Sequence, residues 1–80
     1  GMGMDERILI IEDDLETAAA VRAEATALGC SVDHCETLAA GVAAAVSAPY
    51  KLIVLDRMLP GGDGIEAMAR IRAGGSQALI

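Results

Sequence analysis

Three acidic side chains carry the chemistry open to this sequence. Glu12 and Asp13 follow the apolar run Arg7-Ile8-Leu9-Ile10-Ile11, and Asp56 follows a second run, Leu52-Ile53-Val54-Leu55. Continuous apolar runs of strand length, rich in β-branched residues, read as strands buried on both faces, as in a parallel sheet. A buried helical segment is the rival for the second run. Pro49-Tyr50 before it and Pro60-Gly61-Gly62 after it leave too little room for one. All three carboxylates therefore fall at strand ends, where open α/β sheets bind ligands. Taken alone, Asp56 would serve equally well as a turn residue. Asp14 and Glu16 have a structural use: Asp14 caps the next helix, and the acidic first turn suits the positive end of its dipole. That role does not extend to Glu12 and Asp13.

The elements that must position these groups alternate in type. Leu15 to Leu28 reads as a helix with Ala18, Val21, Ala25 and Leu28 along its inner face, and Gly29 is its stop. Ser31 to Cys35 is short and mixed in polarity, which fits an edge strand. Thr37 caps a second helix, from Leu38 to about Ser47, with Leu38, Val42, Ala45 and Val46 as its stripe. A third helix opens after Gly64 and runs to Ala73, with Ile65, Met68, Ile71 and the stem of Arg72 facing inward. Gly74-Gly75 ends it. Ala78-Leu79-Ile80 reads as the first part of another buried strand.

The pattern is βαβαβα plus part of a strand, an α/β chain with an open parallel sheet and right-handed crossovers. The two most apolar strands should be central, which gives the strand order 2-1-3-4. Asp13 and Asp56 would then end neighbouring strands roughly 4.8 Å apart, at the crevice where the strand order reverses. Carboxylates converging there repel one another unless a hard cation neutralises them. Oxygen ligands without His or Cys select Mg2+, which accepts a phosphoryl oxygen as a further ligand.

Composition narrows the classes. Eighty residues make at most one small domain, and 54% hydrophobic content excludes a disordered tail. Tyr50 is the one aromatic residue, so the core must come from aliphatic side chains. The net charge of −6 argues against unaided binding to nucleic acid or an anionic membrane. No apolar run is long enough to span a membrane and nothing resembles a signal peptide, so a cytoplasmic location is expected. Residues 1–4 are expected to be a tag remnant and disordered N-terminus, with the domain over 5–80. Cys30 and Cys35 should lie on opposite faces of one short strand, as two unpaired thiols. His34 lacks a partner at ligand spacing and reads as a surface strand residue.

With these residues in view, the chain resembles the receiver domain of bacterial two-component response regulators. The stretch Ile8-Leu9-Ile10-Ile11-Glu12-Asp13-Asp14 resembles that family's first strand and acidic pair. Asp56-Arg57-Met58-Leu59-Pro60-Gly61-Gly62-Asp63-Gly64 resembles its phosphoacceptor loop. The resemblance implies the flavodoxin-like fold, here the N-terminal two-thirds of it. It also implies that Asp56 accepts a phosphoryl group from a histidine kinase or its phosphodonor domain. Asp13, Asp56 and the backbone carbonyl of Met58 would hold Mg2+, with Glu12 acting mostly through water. Asp63 would cap the third helix, and Arg57 stands where the family usually has an apolar residue.

The family has five strands, and this chain is expected to stop within the fourth. The hydroxyl residue and the lysine that read the phosphoryl group in the family have no counterpart here. Lys51, the only lysine, precedes the third strand at its wrong end. Two readings follow. One is a phosphoacceptor switch that is not an enzyme beyond its own phosphorylation and slow self-dephosphorylation, and is impaired in this short form. The alternative is a non-signalling fragment, a homo-dimer or higher oligomer through its uncovered face and residues 78–80. A metal-dependent phosphatase is weaker, because Met58 stands where its second acid would be.

Overall fold

The apolar runs around Leu9 and Ile53 do form adjacent strands. The structure, a computed structural model, describes residues 6–56, 59 and 62–80. Its elements are β1 (Arg7–Ile11), α1 (Leu15–Ala27), β2 (Ser31–Cys35), α2 (Leu38–Ser47), β3 (Leu52–Leu55) and α3 (Gly64–Ala73). The sheet has the order β2-β1-β3 with both pairings parallel. Beyond β3, Leu79 bridges Leu52 in parallel, with Ile53 N–H donating to Leu79 O (2.7 Å) and Leu79 N–H to Lys51 O (3.0 Å). The expected order 2-1-3 is thus present, with an isolated bridge at Leu79 where the fourth strand was expected. The expected remnant at residues 1–4 lies outside the described residues.

Strand alternation sends Leu9, Ile11 and Ile53 to one face of the sheet, where they pack with Leu38, Val42 and Ala45 of α2 and Ala67 and Ile71 of α3. Ile8 and Ile10 face the other way, against Ala18 and Ala25 of α1. This second layer is thinner, because Leu52 and Val54 of β3 remain half-buried on it. Cys30 packs with the α1 layer and Cys35 with the α2–α3 layer, both as free thiols. They lie on opposite faces as expected, although Cys30 precedes β2 rather than lying in it.

Local chemistry sets the helix ends. Asp14 accepts from Thr17 N–H (3.2 Å), Thr37 from Ala40 N–H (3.1 Å) and Asp63 from Ile65 N–H (2.9 Å), each at an N-cap. After α1 the chain turns through Gly29 at φ 85°, a conformation that costs other residues steric strain.

Four helix-face expectations, on three helices, need correction. Leu28 is 76% exposed because α1 ends at Ala27 and Leu28 is its cap. In α2 the buried set is Leu38, Gly41, Val42 and Ala45, while Val46 is exposed. Gly41 is what allows this, since Ile11 occupies the space a Cβ would fill. In α3 the buried residues are Gly64, Ala67 and Ile71; Ile65 is 63% exposed. Arg72 is exposed as well, its guanidinium donating to Ser76 O (3.2 Å). Small residues let α2 sit close to the sheet and to α3, so size outranks hydrophobicity in choosing the inner face.

Candidate functional site

Both ladders continue one residue beyond β1 and β3. Glu12 N–H donates to Cys35 O (3.0 Å), and Asp56 N–H donates to Ile11 O (3.1 Å). Glu12 and Asp56 therefore leave neighbouring strands at the same level. Their carboxylates and that of Asp13 each offer an oxygen, and these oxygens all lie within 4.8 Å of one another. Asp13 is exposed, Asp56 half-buried, and Glu12 only 8% exposed. The three sequence-derived acids are thus brought together.

Glu12 is the constrained member. Asp14 N–H donates to its Oε2 (3.2 Å), which by itself draws the carboxyl's pKa down. Burial and the neighbouring Asp56 and Asp13 carboxyls outweigh that pull, and the pKa of Glu12 is raised above the ordinary glutamate value. An all-oxygen anionic set of this kind fits a hard divalent cation. An octahedral Mg2+ ion needs ligand oxygens no more than about 4.2 Å apart. With the oxygens already within 4.8 Å, a small side-chain rotation or one bridging water closes the difference.

Beyond Asp56, Leu59 lies in the core. Leu59 N–H donates to Asp56 O (3.3 Å), and the Leu59 side chain is buried in the α2–α3 layer. A recess of about 140 Å3 beside the acids is lined by Ile10, Thr17, Val21, Val54 and Asp56 among others. Small-molecule sites usually exceed about 300 Å3, so this recess, apolar apart from Glu12, Thr17 and Asp56, is too small for a nucleotide. Arg57, Pro60 and Met58, whose carbonyl was an expected ligand, lie outside the described residues. Lys51 sits at the opposite end of β3, 3.9 Å from Glu6, and takes no part.

One residue departs from expectation. His34 is half-buried, not a surface residue, and its Nε2 lies 2.7 Å from the backbone oxygen of Glu12. The carbonyl can only accept, so Nε2 carries the proton and donates. The sequence held one signal for this, a histidine one residue before the edge strand ends. Nothing in it located the receiving carbonyl.

Comparison with known proteins agrees with this geometry. Residues 8–80 match the family model of the response regulator receiver domain, and the chain belongs to that family. It is 42% identical over 67 residues to the transcriptional regulatory protein QseB of Haemophilus influenzae, covering 84% of this chain and 30% of that protein. It is 41% identical over 66 residues to TcrA of Mycobacterium tuberculosis, covering 82% of this chain and 26% of TcrA. The chain thus spans about a third or less of the length of these relatives. Among solved structures, it is similar to a chain in the complex of histidine kinase ThkA with response regulator protein TrrA (TM-score 0.79, 28% identity, 86% of this chain and 60% of that one). It is equally similar to the receiver domain of a sensor histidine kinase of Pseudomonas aeruginosa PAO1, which has a magnesium ion coordinated in its active site cleft (TM-score 0.79, 31% identity, 85% and 56% covered). The fold is accordingly the flavodoxin-like receiver fold, a signalling module. No helix among the described residues is long and apolar enough to cross a membrane.

Proposed function

We propose that this chain is a phosphoacceptor module in which Asp56 takes a phosphoryl group from the phosphohistidine of a histidine kinase or its phosphodonor domain. A carboxylate oxygen of Asp56 forms the new bond to phosphorus while the P–N bond of the donor breaks, giving an acyl phosphate and a free imidazole that takes up a proton. Glu12, Asp13, Asp56 and the backbone carbonyl of Met58 would hold Mg2+. When bound, the ion supplies positive charge that offsets repulsion between the acids and the incoming phosphoryl oxygens. The observation that carries this reading is the meeting of three carboxylates at the ends of two adjacent parallel strands. The ThkA–TrrA pairing and the magnesium of the Pseudomonas receiver are of the same kind. Any DNA binding, as the names of the relatives suggest, would reside in a separate domain.

Treatment with a small-molecule phosphodonor, with and without Mg2+, tests this by intact mass. The expected outcome is one phosphoryl adduct that needs Mg2+ and vanishes in Asp56→Asn. An adduct that persists in the variant would overturn the assignment. A second reading, self-association through the α1 layer, draws on the half-buried Leu52 and Val54 and on Leu79, which is 66% exposed. A compact monomer in light scattering would exclude it.

A further inference from the structure

We infer that His34 is a positioning residue for the acidic site, acting through the backbone of Glu12; the inference rests on the Mg2+-site reading above. The argument comes from the β1–β2 ladder. Ile11 pairs with Cys35, so the next pairing sets Glu12 against Glu36. In a parallel ladder Glu12 N–H should reach Cys35 O and Glu12 C=O should accept from Thr37 N–H. The first bond is present at 3.0 Å. At the second place the chain has already left the sheet, because Thr37 is the N-cap of α2.

The His34 ring takes the place of that amide, donating from Nε2 to the Glu12 carbonyl at 2.7 Å. Glu12 is held from β2 on both sides of its α-carbon, by a backbone carbonyl and by an imidazole. The peptide whose oxygen His34 holds is the one that joins Glu12 to Asp13. Its orientation therefore sets where both carboxylates stand relative to Asp56. His34 pairs with Ile10 in the ladder and lines a groove with Leu15, Ala18 and Arg22 of α1. Outer hydrogen bonds of this kind orient ligands without touching the metal.

Side-chain geometry supplies a sharp test. Gln places its Nε2 the same number of bonds from Cβ as His Nε2, whereas the amide nitrogen of Asn falls one bond short. Mg2+ affinity of the full protein is measured by calorimetry for wild type, His34→Ala, His34→Asn and His34→Gln, alongside the melting temperature in chelator. The expected result is Mg2+ binding weakened about tenfold in His34→Ala and His34→Asn and restored to within about twofold of wild type in His34→Gln. Melting temperatures without metal should not rank the variants in that order. Equal Mg2+ affinity in wild type and His34→Ala would overturn the inference while leaving the site intact. Loss of affinity in His34→Gln equal to that in His34→Ala would overturn it too. If wild type itself binds no Mg2+, the reading beneath it fails first.

Discussion

Tyr50 is the only aromatic side chain in the molecule, and its hydroxyl donates to Asp33 Oδ2 at 2.6 Å. Arg7 Nη2 reaches the same oxygen at 2.6 Å, and its guanidinium lies 5.0 Å from the Tyr50 ring centroid. The Tyr50 hydroxyl, then Arg7, hold the Asp33 carboxyl below its ordinary range. Burial, then Asp33, push Tyr50 up to about 12. The signs of the two linkages differ. Asp33, with its folded value depressed, contributes stability that is present above the ordinary carboxylate range and lost as pH falls through the depressed value. Tyr50, with its folded value raised, contributes stability that is present below the ordinary tyrosine value and lost as pH rises toward 12. Because the chain has one tyrosine and no tryptophan, tyrosinate absorbance should show a single midpoint near 12 in the folded protein. Asp33→Asn should move that midpoint down toward the ordinary value; an unmoved midpoint would remove Asp33 as a cause. The trio stands on the α2–α3 face, at the end of the sheet away from the acids, and its work is to tie β2 and the β3 entry to β1.

Among the elements, α2 shows most clearly how packing follows from one position. A Cβ at Gly41 would meet Cδ1, Cγ1 and Cγ2 of Ile11, the farthest at 2.8 Å. Ile11 is fully buried and β-branched, so it has little freedom to move aside. Gly41→Ala should therefore destabilise the fold by about 1–3 kcal/mol in denaturant unfolding. The better helix propensity of alanine, worth at most about 1 kcal/mol, would not offset this. A stabilised variant would show that α2 can shift outward freely. Thr37→Ala removes the cap of the same helix and should cost about 1 kcal/mol. The caps Asp14, Thr37 and Asp63 and the stop Gly29 were legible in the sequence, because capping is a contact between residues two to four apart. Val46 and Ile65 were misplaced because a helical stripe records hydrophobicity, and only the neighbouring strand and helix decide how close a backbone must come.

For the molecule as a whole, the acids set a conflict between stability and function. Three carboxylates gathered within 4.8 Å repel one another. Asp13→Asn should raise the melting temperature in chelator and abolish the rise expected from Mg2+ in wild type. At a hundredfold excess over its Kd, Mg2+ should add about 2.7 kcal/mol to wild-type stability, reversed by chelation. A melting temperature indifferent to Mg2+ would speak against the site. The sequence alone determined that two apolar runs are buried parallel strands and that acidic residues follow them, because burial on both faces and strand-end polarity are written in consecutive residues. It also determined the strand order, since the polar run could only be an edge. The tertiary structure decided which small residues face inward, how Arg7, Asp33 and Tyr50 meet, and that His34 replaces a missing ladder amide at Glu12. Each of these is a meeting of residues distant in sequence, and register, closeness of approach and the direction of a carbonyl exist only once the sheet has formed.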